Sequence, residues 1–113
     1  LALEGARNNV RINTLAPGAA TRMIATIPGR DIDPNDPPAE SAPKLVSPAV
    51  LFMCSEDAPN GAVINAAGGK YFRAQVFVNQ PVELGVDATF EDLQMLADTL
   101  MDMSKAKPRQ RAR

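Results

Sequence analysis

The residues best equipped for chemistry in this chain are not the usual nucleophiles or bases. There is no histidine and one cysteine, Cys54, so neither a Ser-His nor a Cys-His pair exists and a structural zinc site lacks its ligands. What stands out instead is the stretch Pro17-Gly18-Ala19-Ala20-Thr21-Arg22, which follows the short run Arg11-Ile12-Asn13-Thr14-Leu15. Small side chains at 18–20 let a ligand approach the backbone closely, and the Thr21 hydroxyl both donates and accepts. Arg22 adds a guanidinium, which binds phosphate in bidentate fashion. Such a segment is equipped to hold a ligand, not to break a bond in it.

Other reactive types carry less. Cys54 lies in an apolar run with no His or Lys beside it and reads as structural. Asp31, Asp33 and Asp36 lack the following Gly and the bidentate Glu of a calcium loop, so they read as solvated. Lys70 and Arg73 read as solvated cations at a strand start, with approach to a ligand phosphate as the alternative. Tyr71 is the one tyrosine, and no Lys stands at helical spacing from it.

The elements that must position these residues follow from periodicity and punctuation. Residues 1–7 read as a helix ended by Asn8-Asn9, since Asn tolerates the left-handed conformation that closes helices. This helix has an end but no N-cap residue, which implies that Leu1 lies inside a longer protein. Residues 10–15 read as a short buried strand, stopped by Pro17-Gly18. A brief helical turn is expected over 23–27. Residues 28–48 hold six prolines and read as a surface loop. Ser47 as N-cap and Pro48 in the first turn start a helix whose body, through Cys54, is apolar all round and is therefore expected to be buried. Asn60-Gly61 signals a turn, and residues 62–66 read as a second apolar strand closed by Gly68-Gly69. The two strands are expected to be parallel neighbours, with the Ser47 helix against their sheet and a right-handed crossover between them.

Beyond Gly69 the pattern changes. Phe72, Ala74, Val76 and Val78 alternate with Arg73, Gln75, Phe77 and Asn79, the period of a half-buried strand, ended by Gln80-Pro81. Thr89 is the expected N-cap of a helix with Glu91 and Asp92 in its first turn. Phe90, Leu93, Leu96, Ala97, Leu100 and Met101 form its apolar stripe, expected to pack in a core or an interface. The last nine residues, KAKPRQRAR, carry five basic groups and no acidic one, and read as a frayed tail.

Bulk properties bound the function classes. The 113 residues suit one compact domain, and 45% hydrophobic with 22% charged residues suits a globular chain. A net charge of −1 supplies no field for nucleic acid or membranes. No run is long enough to span a bilayer. A single Cys fits a reducing compartment, so the expected location is cytoplasmic.

Two longer stretches are specific. LALEGARNNVRINTLAPGAATRM is similar to the segment of short-chain dehydrogenases/reductases that follows their catalytic helix, and SPAVLFMCSEDAPNGAVINAAGG resembles that family's last helix and strand. Within the family the likeness is to the 3-hydroxyacyl-CoA dehydrogenase type of peroxisomal multifunctional enzymes and bacterial relatives. It rests on the short Pro-x-Ala-x-(Ser/Thr)-Arg-Met spacing and on the residues that continue past Gly-Gly. The resemblance implies an α/β fold in which residues 1–69 form the C-terminal part of a doubly wound parallel, Rossmann-like sheet. Residues 70–104 would be a strand-helix extension, and 105–113 a basic flexible tail.

The same resemblance implies a cofactor, NAD or NADP, with Pro17, Gly18, Ala19, Ala20 and Thr21 at its nicotinamide end; the Arg22 guanidinium is by its own chemistry suited to the pyrophosphate or to an acyl-CoA phosphate. The parent enzyme would move hydride between that cofactor and an alcohol or ketone, possess a small-molecule or acyl-CoA substrate, and form a homo-oligomer. The sequence departs from the family in two ways. It has one residue fewer between Pro-Gly and Thr21 than most members. It also lacks the Gly-rich cofactor turn and the Ser, Tyr and Lys that do the family's chemistry, so the chain alone is expected to be catalytically inert. The alternative reading is a non-catalytic binding or dimerisation module derived from the same fold.

Overall fold

In the computed structural model, residues 1–33 and 35–109 are described. They divide into two units, Leu1–Ala74 and Gln75–Arg113, where the composition suited a single compact domain.

The first unit opens with helix α1 (Ala2–Ala6). Asn9 takes the left-handed conformation, φ 55°, as expected for the residue that turns the chain out of a helix. Residues 10–13 are not strand-paired. They run beside the turn at Asn60-Gly61, and the Gly61 N–H donates to the Ile12 carbonyl at 2.9 Å. Strand β1 therefore begins later than expected and spans Thr14–Gly18.

β1 pairs in parallel with β2 (Val63–Ala67), Thr14 opposite Val63 and Gly18 opposite Ala67. The expected parallel neighbours are thus present, in an α/β unit whose sheet is partly parallel. Pro17-Gly18 does not end the first strand, however; both residues lie within it. Among the described residues β1 pairs on one side only, the sheet order being β1-β2-β3. The Thr14 N–H donates toward β2, to Ala62 at 2.9 Å. By strand alternation Leu15 and Pro17 then face the other edge, where a missing N–H costs no ladder bond.

β2 turns through Gly68-Gly69 into antiparallel β3 (Lys70–Ala74), Ala67 opposite Lys70. Both turn glycines have positive φ, 57° and 73°, as two-residue hairpins of the type I′ class require. The single half-buried strand expected across 72–79 is instead two pieces. Its first part is β3, exposed throughout, and the rest contributes to the second unit. The boundary between units accordingly falls after Ala74, five residues beyond the 69/70 division, because β3 is hydrogen-bonded to β2.

Between β1 and β2 the chain forms α2 (Arg22–Ala25), two 3-10 turns at Ala39–Ser41 and Pro43–Leu45, and helix α3 (Ser47–Met53). Val46, not Ser47, is the N-cap of α3; Ser47 and Pro48 are its first two helical residues, and no side chain caps it. The helix is also less buried than its composition implied. Ala49 is its buried residue, whereas Leu51 is 73% exposed and Cys54, just past its end, is exposed. The buried core among the described residues consists of six alanines, Ala2, Ala20, Ala49, Ala58, Ala62 and Ala66. A core of methyl groups brings backbones close but cannot cover every apolar face of a short helix.

The second unit contains a two-stranded ribbon, β4 (Phe77–Val78) with antiparallel β5 (Lys107–Pro108). Part of the expected basic tail is therefore strand, while residues 110–113 lie outside the described residues. The expected helix is present as two, α4 (Phe90–Met95) and α5 (Ala97–Met101), broken where Leu96 leaves helical geometry at φ −102°, ψ 15°. Thr89 caps α4 as anticipated. Its hydroxyl accepts from the Asp92 N–H, and the Asp92 carboxylate accepts from the Thr89 N–H, a reciprocal capping box. The apolar stripe is not enclosed; Phe90 is 72% exposed.

Candidate functional site

In open α/β sheets ligands bind beyond the carboxyl ends of the parallel strands. In this unit those ends are Gly18 on β1 and Ala67 on β2, and a cavity of about 520 Å³ lies there. Gly18, Ala19 and Ala20 form one wall and Ala67 and Gly68 another. Ile24 of α2 and the Pro-rich connection, with Arg30, Ile32, Glu40 and Ser41, supply the rest, and Lys70 stands at the start of β3.

Local geometry explains how the walls are fixed. Ala20 is buried, and its N–H donates to the Ser41 carbonyl at 2.8 Å, which ties the Ala39–Ser41 turn to the end of β1. Among the described residues no carbonyl accepts from the N–H of Ala19 or Thr21. Those two donors, next to side chains no larger than methyl at 18–20, suit a planar polar ligand group such as a carboxamide. Arg30, Lys70 and Glu40 make no ion pair among the described residues, so two cations and one carboxylate line the cavity unneutralised by one another at contact distance.

Of the six residues singled out in the sequence, Gly18, Ala19 and Ala20 line the cavity. Pro17 is one step inside β1, opposite Ala66. Thr21 is the N-cap of α2 with an uncommitted side chain, and Arg22 is the exposed first residue of that helix. Ile24, Arg30, Ile32, Glu40, Ser41, Ala67 and Gly68 also line the cavity and were not singled out. Residues from the Pro-rich loop carry no local signal, because only the fold of the loop across the strand ends brings them there. Lys70, read as a solvated cation, does line the cavity.

A second, apolar cavity of about 340 Å³ separates α3 from the sheet, between Ala49 and Phe52 on one side and Ile64 and Phe72 on the other. Tyr71 lines it, and its hydroxyl donates to the Leu45 carbonyl at 2.7 Å. That proton is committed to holding β3 against a 3-10 turn. Among the described residues no cluster of His, Cys, Asp and Glu could hold a metal ion, and no helix is long and apolar enough to cross a membrane.

No family model matches the chain. Individual proteins do. Rv0148 of Mycobacterium tuberculosis, assigned by name to the short-chain type dehydrogenases/reductases, is 36% identical over 108 residues, covering 95% of this chain and 36% of its own length. The peroxisomal multifunctional enzyme type 2 of Drosophila melanogaster is 36% identical over 113 residues, covering 95% of this chain and 18% of its own length. The solved structure of that full-length Drosophila enzyme superposes with a TM-score of 0.69 at 31% identity, over 98% of this chain and 20% of that one. The chain therefore spans about a third or less of the length of these relatives.

Proposed function

The chain is homologous to the short-chain dehydrogenases/reductases, and on that premise we propose that it builds part of a nicotinamide site in an oxidoreductase that moves hydride between NAD or NADP and an alcohol or ketone. The observation that carries this reading is the cavity beyond the carboxyl ends of β1 and β2, with its wall of Gly18, Ala19 and Ala20. A bound nicotinamide supplies the hydride chemistry. This chain's residues bind and orient it: the N–H groups of Ala19 and Thr21 donate to its carboxamide, Pro17 and Gly18 form the strand end beneath it, and the Thr21 hydroxyl adds a partner. Arg22 pairs with a phosphate of the cofactor or of an acyl-CoA substrate, a 3-hydroxyacyl-CoA being the substrate we favour.

In this reading β1 and β2 are the last two parallel strands of a Rossmann-like sheet. The Ser, Tyr and Lys of the family's proton chemistry are supplied by residues other than those of this chain. A homo-oligomer and a cytoplasmic location complete the proposal; the exposed free thiol of Cys54 suits a reducing compartment.

Amide hydrogen exchange on the protein that carries this chain tests the site directly. Saturating NADH or NADPH is expected to slow exchange at Ala19 and Thr21. Unchanged rates at both amides with both dinucleotides would overturn the assignment.

A further inference from the structure

We propose that Gly68 is a positioning residue for the cavity at the strand ends: its bare Cα lets the Ala39–Ser41 turn settle onto the β2–β3 hairpin, and that turn sets the width of the cavity. The ligand consequence rests on the nicotinamide reading above; the structural role does not.

A Cβ built on Gly68 would lie 2.9 Å from the Glu40 carbonyl oxygen, closer than real Cβ contacts come. The atom it meets is backbone and cannot rotate aside as a flexible side-chain tip does. One residue on, the Ser41 carbonyl accepts from the buried Ala20 N–H at 2.8 Å. The turn is thus held at two adjacent points, by close approach to the end of β2 and by a hydrogen bond to the end of β1. Glu40, Ser41, Ala20 and Gly68 all line the cavity. Any side chain at 68 must lift Glu40, and lifting Glu40 draws the Ser41 carbonyl off Ala20.

Hairpin chemistry alone does not explain a glycine here. Gly68 and Gly69 both need a positive φ, 57° and 73°, which Asn also tolerates. They differ in surroundings: a Cβ on Gly69 meets nothing within 4 Å. Gly69 is therefore an internal control, since substitution there carries the backbone strain without the push on Glu40.

The test compares Gly68→Ala with Gly69→Ala in the protein that carries this chain, reading Ala20 amide exchange by NMR and NADH affinity by fluorescence titration. Gly68→Ala is expected to speed Ala20 exchange and weaken NADH by about tenfold each, while Gly69→Ala stays within about twofold of the parent. Equal responses of the two variants would overturn the proposal. Should Gly68→Ala fail to fold, Gly68→Asn and Gly69→Asn make the same comparison with a residue that accepts the left-handed conformation. A parent that binds neither NADH nor NADPH refutes the nicotinamide reading, and the Ala20 exchange contrast still decides the role of Gly68.

Discussion

Asn13 and Asn60 cap each other's segments. The Asn60 side-chain carbonyl accepts from the Ile12 N–H at 2.9 Å, and the Asn13 side-chain carbonyl accepts from the Ala62 N–H at 3.0 Å. Their amide groups are also used, Asn13 donating to Pro59 at 2.7 Å and Asn60 to Ala2 at 3.0 Å. Two side chains thus do for residues 10–13 and 59–62 what a ladder does for β1 and β2. Removing Asn13 leaves partly buried backbone groups unpaired, at about 1–3 kcal/mol each, whereas the Ile12 N–H freed by removing Asn60 is exposed and can turn to water. Asn13→Ala is expected to lower the unfolding midpoint more than Asn60→Ala, because both Asn13 bonds are partly buried and the Asn60–Ile12 bond is exposed. A double-mutant cycle in denaturant melts checks this; strict additivity would mean that the two caps act independently.

Gly18 faces Ala67 across the parallel ladder, and a Cβ on Gly18 would lie 2.8 Å from the Ala67 Cβ. Neither methyl can rotate away. Gly18→Ala is expected to destabilise by about 1–3 kcal/mol through overpacking, and adding Ala67→Gly is expected to recover part of it. Thermal melts of the two variants are the readout, and a double variant no better than the single one would contradict the contact.

The Asp102 carboxyl is held below the ordinary carboxylate range, mainly because the Ser104 N–H donates to it, at 2.9 Å, and secondarily through the Ser104 hydroxyl. A folded value below the unfolded one stabilises above the ordinary carboxylate range, and that contribution disappears as pH falls through the depressed value. An NMR titration of Asp102 should show the low midpoint. Ser104→Ala should raise it only partly, since the backbone donor remains.

A dehydrogenase assay on the isolated 113-residue chain should find no NAD- or NADP-dependent oxidation of alcohols or hydroxyacyl-CoA. Calorimetry should find no tight dinucleotide binding. The chain lacks the Gly-rich turn that cradles pyrophosphate, so only one end of the cofactor would be held. Micromolar NAD binding would require a site of different construction.

Exposed apolar side chains in both units, Leu51 at 73%, Phe90 at 72% and Met95 at 85%, predict self-association of the isolated chain. Sedimentation at low micromolar concentration reads this out. A monomer with a cooperative melt would instead favour the stand-alone module.

The pairing was legible because both strands open on β-branched residues, Thr14 and Val63-Ile64, within short runs set off by turn signals. Their ends were not, because Pro17 reads as a stop until its edge position is known. The α3 composition predicted burial correctly only for Ala49, since a pattern reports the wish of a face to be covered and not what covers it. Leu96 broke the second-unit helix without any Gly or Pro to announce it. In the candidate site, the small residues at 18–20 were legible from their chemistry. Glu40 and Ser41 became site residues only through a tertiary approach that Gly68 permits.

Pro17 limits how the sheet can grow. A further strand laid along the free edge of β1 would find an amide donor at Leu15 but none at Pro17. Such a strand gains its last full exchange of bonds at Leu15 and is free to diverge above it. Divergence of neighbouring strands opens a cleft at their carboxyl ends, beside Gly18. One imino acid thereby ends backbone zippering on the side of the cavity at the strand ends.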